Sequence, residues 1–446
     1  MKKRLVILGA GESGTGAALL AKQQGYDVFV TDAGAIKENY RAELEENEIE
    51  FEECQHTIEK ILNAHEVMKS PGIPEKNELV KQIRVKGIDV ISEIEFAYRY
   101  KGNSKIIAIT GSNGKTTTTA LTYHICKEGG ADCAMVGNIG FSFAKQVALK
   151  PKALYVAEIS SFQLDDIKAF RPDVAVLTNI TEDHLDRYDY KFENYISSKF
   201  RVAMNQQQQD VFIYNLDDAV TMKTINNYPI KSTLAPITMS KELPQGAYLQ
   251  NAKMHIKWKT EEMQMSIEDF AVKGKHNQYN SMAASLAAVA VDIRKEKIRD
   301  ALQTFESLEH RMESVATIKN VEFINDSKAT NVNSTWFALE CVEKPVILIL
   351  GGVDKGNDYT LLTELVKEKV KAIVCMGTDN RKIHEAFGDV VPLMVNTENA
   401  KDAVQSAFHF ASPGDVVLLS PACASFDLFK NYEDRGNQFK QAVKEL

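Results

Sequence analysis

From its first residues the chain alternates short apolar runs with amphipathic stretches. RLVILGA, DVFVTD and EVMKS have strand length and are separated by GTGAALLAKQQG and other helical segments, and DVISEIEFAYRY closes the series near residue 100. Strands interleaved with helices predict a parallel α/β sheet. KGNS, near residue 102, reads as a linker. A second series opens with KIIAITGSNGKTTTT and runs through LYVAEIS, DVAVLTNI and DVFIYNL. Between about residues 230 and 272 it gives way to alternating pieces, MHIKWK and MQMSIEDF, that predict a small antiparallel excursion ahead of the Ala-rich helix NSMAASLAAVAVDI. A third series starts near LEHRME and carries VEFINDS, PVILILGG, AIVCMG and DVVLLSPA with helices such as LLTELVKEK between them, again a parallel α/β unit.

Composition narrows the partners. The net charge is −8 and the 53 basic residues are scattered, which argues against a nucleic-acid or anionic-membrane surface. Six cysteines form no CxxC pair, so reduced thiols in a cytoplasmic protein are expected. MKKRLVILGAG imitates a signal peptide, but its apolar run is short and leads into Gly-Glu-Ser, which fits a first β-strand better. No run approaches the ~20 apolar residues of a membrane span.

Two glycine loops carry candidate chemistry. Gly9-Ala10-Gly11-Glu12-Ser13-Gly14 follows a strand and opens a helix, and Asp32 ends the next strand, about the ~20-residue spacing of a dinucleotide fingerprint. Only about one mononucleotide half fits before the next loop, so a nucleoside diphosphate suits this site better than NAD. Its amides would hold the diphosphate and Asp32 a ribose hydroxyl. In the second loop, Thr110-Gly111-Ser112-Asn113-Gly114-Lys115-Thr116-Thr117, the glycine that opens the usual G-x-x-x-x-G-K-[ST] pattern is replaced by Ile109. Gly111 and Gly114 let amides turn toward phosphate oxygens, Lys115 can reach the β and γ phosphates, and Thr116 offers a hydroxyl to magnesium. Three strand ends downstream carry Asn138, Glu158 and His184, the last two plausible as magnesium ligands although His is an unusual one. Lys199 in SSKFR is harder to rationalise there, since an ammonium would be repelled by metal ions. A surface helix lysine is the alternative.

Together, TGSNGKTT, Glu158-Ile159-Ser160-Ser161, the segment Asn179 to Asp186, HNQYN, LEHRME, INDSKATN, LGGVDKG and SPACASFDLFKNYEDRG resemble the Mur ligase family over nearly the whole chain, with the last motif pointing to its glutamate-adding branch. The resemblance implies an α/β fold of three domains: a Rossmann-like N-terminal half-fold (1–100), a central P-loop ATPase-like parallel sheet with the antiparallel excursion (101–308), and a Rossmann-like C-terminal domain (309–446). It implies a monomeric ATP-dependent amide ligase that adds D-glutamate to UDP-N-acetylmuramoyl-L-alanine through an acyl phosphate and a tetrahedral intermediate, with domain closure excluding water.

By the same resemblance ATP is held by Gly111, Ser112, Asn113, Gly114, Lys115, Thr116, Thr117, Asn277, Asn280, Arg311 and Asp326. One magnesium ion falls to Thr116 and Glu158, and a second to His184 and Lys199. Lys199 matches a lysine carbamylated by carbon dioxide, which turns a cation into an oxygen-rich anion. The UDP substrate falls to Gly11, Ser13, Gly14, Asp32, Ala33, Ser70, Gly72, Asn138 and His184. D-Glutamate falls to Lys328, Thr330, Lys355, Ser425 and Tyr432, the last often phenylalanine in the family. Lys115, Glu158, His184, Lys199 and Lys328 are the expected catalytic set. Glu12 has no assigned role in the diphosphate loop. A nicotinamide oxidoreductase would leave the second loop, His184 and the third series without a purpose, and a nucleotide-binding switch or motor subunit would turn over ATP with no acceptor amino acid. A folate-polyglutamylating enzyme would lack the first-series glycine loop.

Overall fold

Apolar runs buried on both faces form the middle strands of three sheets. The computed structural model describes residues 2–306 and 309–446, so Leu308, which opens LEHRME, lies outside the described residues. The chain divides into two compact units, Met1–Ala271 with Asn277–Phe305, and Val272–His276 with Glu306–Leu446.

The first sheet holds β1 (Arg4–Leu8), β2 (Asp27–Thr31), β3 (Glu50–Glu52), β4 (Glu66–Lys69) and β5 (Asp89–Ile91), all parallel, in the order β3-β2-β1-β4-β5. Leu5 and Ile7 enter one core and Val6 and Leu8 the core on the other face. That two-sided burial is why β1 reads as a continuous apolar run without alternation. The order extends a mononucleotide half, β1 to β3, by two further strands on the other side of β1.

The second sheet comprises β6 (Lys105–Thr110), β7 (Cys133–Gly137), β8 (Leu154–Glu158), β9 (Val174–Leu177), β10 (Val211–Asn215), β11 (Thr233–Thr238), β12 (Gly246–Gln250), β13 (Lys253–Trp258) and β14 (Glu261–Ser266). Its order is β14-β13-β12-β11-β10-β9-β6-β8-β7, with β6 between β9 and β8 and the antiparallel pairs confined to β12, β13 and β14. The helix expected at NSMAASLAAVAVDI starts earlier, at Lys275, so that Asn277 and Asn280 lie in its first turns.

The other unit has β15 (Glu313–Ile318), β16 (Val321–Asn325), β17 (Val346–Leu350), β18 (Val370–Met376), β19 (Met394–Thr397) and β20 (Val416–Leu419), in the order β15-β16-β20-β17-β18-β19. Five strands are parallel as expected, but β15 runs antiparallel to β16. Only Lys319 and Asn320 separate the two, at φ 48° and 62°. Two left-handed residues make a tight hairpin, and a connection that short cannot cross over to a parallel partner. Among the described residues no helix is long and apolar enough to cross a membrane.

Two carboxylates on the helix Glu93–Tyr98 join the first sheet to the second. Glu95 Oε2 accepts from the amides of Lys168, Ala169 and Phe170 at 2.9, 2.9 and 2.8 Å. Glu93 Oε1 accepts from Ser142 Oγ at 2.7 Å and from the Ala144 amide at 2.6 Å, while its Oε2 is buried without a partner. Burial pushes the Glu93 carboxyl up to about 7, outweighing those hydrogen bonds, and the nearby charge of Glu12 adds to the rise.

The folded state therefore keeps a proton on Glu93 in a pH range where the unfolded chain, with an ordinary carboxyl near 4.5, has released it. Because the folded state binds more protons there, stability falls as pH rises from about 4.5 to about 7 and stays lower above. Glu93→Gln should remove this component, so its thermal midpoint should gain on the wild type by a few degrees between pH 5 and pH 8. Midpoints that keep a constant difference across that range would show that Glu93 does not titrate as described.

Candidate active site

The second glycine loop joins the carboxyl end of β6 to the helix Lys115–Glu128. Gly111 sits at φ 144°, and a Cβ there would lie 2.0 Å from Thr178 Oγ1, so neither the backbone nor the space admits a side chain. The segment after β9 braces the loop. The Asn113 amide donates to Asn179 Oδ1 at 2.9 Å, and the Asn113 carbonyl accepts from Thr178 Oγ1 at 2.6 Å and Asn179 Nδ2 at 3.1 Å. Ser112 Oγ donates to the Thr181 carbonyl at 2.8 Å and lies 3.0 Å from Tyr195 OH. Lys115 folds back, its Nζ donating to the carbonyls of Gly111 and Ser112 at 2.7 and 2.8 Å. Thr118 Oγ1 donates to Asn280 Oδ1 at 3.1 Å and Asn280 Nδ2 to Asn277 Oδ1 at 3.1 Å, which brings both predicted asparagines to this helix.

Lys199 is no surface lysine. It is 2% exposed on the helix Phe192–Phe200, and its Nζ donates to the Gly111 carbonyl at 2.8 Å and to Thr110 Oγ1 at 3.4 Å. Burial drives its pKa well below that of an ordinary lysine, and the neighbouring charge of Lys115 adds to the depression against the pull of Asp183, Glu158 and Asp165. Tyr195, one turn earlier on the same face, puts its ring 5.1 Å under the amine. Glu158, at the end of β8 and 1% exposed, accepts from Asn138 Nδ2 at 2.7 Å through Oε1. Its Oε2 is buried and accepts no hydrogen bond. His184 takes the left-handed backbone at φ 52°, its ring edge-on to Phe162 at 5.2 Å and its Nε2 3.6 Å from Asp183.

These donors suit a hard divalent cation: a buried carboxylate oxygen lacking a partner, and the Thr116 hydroxyl position at the start of the same helix. Among the described residues no three His, Cys, Asp or Glu side chains gather into a cage. Magnesium does not need one, since it keeps waters and substrate phosphates as ligands.

The first glycine loop lies in the same unit. A Cβ on Gly14 would fall 1.8 Å from the Gly9 carbonyl, so the helix Glu12–Gln23 approaches the strand end only because this residue is glycine. Asp32 accepts from the Ala10 amide at 2.7 Å and the Gly34 amide at 2.9 Å, tying Ala33 and its turn to the loop. Ser70 Oγ donates to the Gly9 carbonyl at 3.3 Å. Ser13 is half-buried, and Gly11 and Gly72 are exposed. Glu12 points away from the loop: its Oε1 accepts from the Ser142 amide at 3.1 Å.

Sequence reasoning missed Arg187. Its guanidinium lies 4.2 Å over the Phe162 ring and donates to the carbonyls of Pro71 at 3.1 Å and of Gly72 and Ile73 at 3.4 Å each. Three residues past His184, it ties that turn to the Gly72 loop, a partnership between distant segments that leaves no local signature.

In the C-terminal unit five of the remaining predicted residues follow three adjacent strands, while Arg311 precedes β15 and Tyr432 opens a helix. After β16 come Asp326, Lys328 and Thr330; after β17 comes Lys355, exposed; after β20 comes Ser425, buried. Lys328 Nζ sits 3.6 Å over the ring of Tyr432, the first residue of the helix Tyr432–Lys444. Asp326 accepts from Ser420 Oγ at 2.9 Å, and burial pushes its carboxyl up to about 7 against that bond and the nearby charge of Arg311.

This arrangement is that of an α/β protein of the phosphate-loop type, with a separate unit whose parallel strands gather polar side chains at their carboxyl ends. Residues 4–79 match the MurD N-terminal domain, 109–288 the Mur ligase middle domain, and 310–423 the Mur ligase glutamate ligase domain. Two relatives, both UDP-N-acetylmuramoylalanine--D-glutamate ligases, cover the whole of both chains: that of Christiangramia forsetii at 53% identity and that of Bacteroides fragilis at 51%. A pseudomurein peptide ligase type C from Methanothermus fervidus shares the fold over 100% of both chains, with a TM-score of 0.63 at 18% identity. The chain belongs to the Mur ligase family.

A buried amine held by backbone acceptors contributes little to stability that an apolar side chain would not replace. Lys199→Met should unfold at the same temperature as the wild type or higher, with a gain of up to ~1 kcal/mol. A loss above ~2 kcal/mol in denaturant titration would instead mean that the amine holds the loop together.

Proposed function

We propose that this chain joins the amine of D-glutamate to the carboxylate of UDP-N-acetylmuramoyl-L-alanine, cleaving ATP to ADP and phosphate, in the cytoplasmic synthesis of peptidoglycan precursors. The observation that carries the reading is the braced phosphate loop with two lysines on the Gly111 carbonyl, in a chain alignable end to end with D-glutamate-adding ligases.

A carboxylate is a poor electrophile. One of its oxygens attacks the γ-phosphorus, the bond to the β-phosphate bridge oxygen breaks, and ADP leaves an acyl phosphate. The amine nitrogen then attacks the acyl carbon, and the tetrahedral intermediate collapses with loss of inorganic phosphate and a proton. Catalysis of this kind is mostly positioning and charge stabilisation. In our reading Gly111 to Thr117 turn amides toward the phosphates, and Lys115 exchanges its two carbonyl partners for phosphate oxygens. By the family resemblance Asn277 and Asn280 would contact the adenine nucleotide, and Arg311 and Asp326 would serve ATP phosphate and ribose. Gly11, Ser13, Gly14, Asp32, Ala33, Ser70, Gly72 and Asn138 take the UDP substrate, with His184 at its peptide end. Lys328, Thr330, Lys355, Ser425 and Tyr432 take D-glutamate, whose two carboxylates need paired cationic and hydroxyl donors.

Magnesium would be held by Thr116 and Glu158, and a second ion by His184 and a carbamate on Lys199; bound there, it neutralises phosphate charge. Carbamate formation needs an unprotonated amine, whose nitrogen adds to the carbon of carbon dioxide and releases a proton. Burial and the charge of Lys115 favour the neutral amine at Lys199, which supports the assignment. We infer a monomer with functional divisions at 1–100, 101–308 and 309–446.

The direct test supplies UDP-N-acetylmuramoyl-L-alanine, ATP and magnesium with a panel of amino acids and measures phosphate release. D-Glutamate should be the preferred acceptor, and turnover that ignores the amino acid would point to a nucleotide-driven switch. Lys115→Ala should abolish phosphate release. Lys199→Ala should lose at least ~100-fold in kcat, in the range of a lost transition-state stabiliser, with partial recovery in added formate or acetate. Full activity in that variant would remove Lys199 from the chemistry.

A further inference from the structure

The C-terminal unit buries one cation for which the reaction outlined above has no use. Arg435, in the first turn of the helix Tyr432–Lys444, is 1% exposed. Among the described residues its guanidinium forms no ion pair with a carboxylate, and all its hydrogen bonds go to neutral oxygens of three strand-end loops. Nε donates to Ser327 Oγ at 3.0 Å and Nη2 to the Ser327 carbonyl at 2.8 Å. Nη1 and Nη2 each lie 3.2 Å from the Cys423 carbonyl, and Nη1 lies 3.5 Å from that of Gly351. Ser327 Oγ donates in turn to the Tyr432 carbonyl at 2.8 Å, which closes the loop after β16 onto the arginine's own helix.

Those loops are the ones that carry the proposed acceptor residues. Ser327 precedes Lys328, Gly351 opens the turn that carries Lys355, and Cys423 lies two residues before Ser425. Burying a guanidinium without a carboxylate is unfavourable, and burial lowers its pKa to about 10. A role confined to packing would be filled better by Met or Leu. What a planar five-donor fork adds is geometry, because it can hold several carbonyls at fixed separations while keeping its charge at any working pH.

We propose that Arg435 is a positioning residue for the acceptor amino acid: it clamps the loops after β16, β17 and β20 at the spacing that lets Lys328, Lys355 and Ser425 grip a dicarboxylic substrate, and leaves a net positive charge behind them. This rests on the proposed reaction, and the experiment separates the two. KM is measured for D-glutamate, ATP and UDP-N-acetylmuramoyl-L-alanine in the wild type and in Arg435→Lys, which keeps the charge and loses the fork. Arg435→Met, which fills the space without charge, and Ser327→Ala, which removes one acceptor and leaves the cation, complete the set.

Arg435→Lys should raise the KM for D-glutamate by roughly tenfold or more while the other two KM values move less than about threefold, Arg435→Met should be worse in the same direction, and Ser327→Ala milder. Should the arginine variants fail to fold, Ser327→Ala carries the test by the same split. A uniform rise in all three KM values, a fall in thermal midpoint with unchanged KM for D-glutamate, or wild-type kinetics in Arg435→Lys would overturn the proposal. A wild-type protein that does not ligate D-glutamate would sink the proposed reaction itself.

Discussion

Two lysines share one backbone oxygen. Lys115 and Lys199 approach the Gly111 carbonyl from different helices at 2.7 and 2.8 Å, and that carbonyl can point at both only because Gly111 holds a backbone that other residues rarely adopt. Bringing two amines to one oxygen in a buried pocket is unfavourable while both carry charge, and the pull of Asp183, Glu158 and Asp165 only partly offsets burial and the Lys115 charge at Lys199. Lys199 is the deeper of the two and shifts accordingly. In the proposed reaction, triphosphate, acid substrate and a carbamate on Lys199 would each bring negative charge to this centre.

Holding such a centre requires a stiff frame. The loop is pinned by Thr178, Asn179 and Thr181 after β9, and β9 pairs directly with β6, so loop and brace belong to one piece of sheet. The first sheet is attached with equal firmness through buried carboxylates that receive backbone amides, Glu95 from three in a row and Glu93 from the Ser142–Ala144 turn. Glu12, whose charge would oppose a diphosphate, is drawn into the same joint by the Ser142 amide, which leaves the glycine loop open to an anion. Loop geometry and domain attachment therefore use one device, a carboxylate or amide side chain that satisfies the amides of a distant turn.

Much of this was legible in the chain. Parallel strands announced themselves as apolar runs, and the phosphate loop by its glycines between strand and helix; Lys115, Glu158 and Asn138 stand where strand ends put them. What stayed hidden was pairing across sequence. Nothing near Lys199 in SSKFR indicates burial; its one local clue is Tyr195, four residues earlier on the same helical face. Arg187 and Arg435 drew no individual assignment from the sequence, because most of their contacts reach more than eighty residues away and go mainly to backbone carbonyls, which no sequence pattern encodes. β15 was passed over because a two-residue hairpin through Lys319 and Asn320 lacks the glycine that usually marks one.

Both units place a basic side chain against carbonyls and withhold a carboxylate, yet they use different residues, and chemistry accounts for the choice. A lysine in that setting can become a neutral nucleophile, and a neutral amine can be modified into the anion that a metal site needs. A guanidinium cannot lose its proton at working pH and cannot serve that way, but it keeps a fixed fork and a fixed charge. On the proposed roles the two are not interchangeable: an arginine at 199 would stay cationic where a carbamate is proposed, and a lysine at 435 would lose the planar fork that holds three loops. Folding stability alone does not account for either buried cation, since apolar side chains would supply it at less cost, whereas the proposed handling of anionic substrates accounts for both.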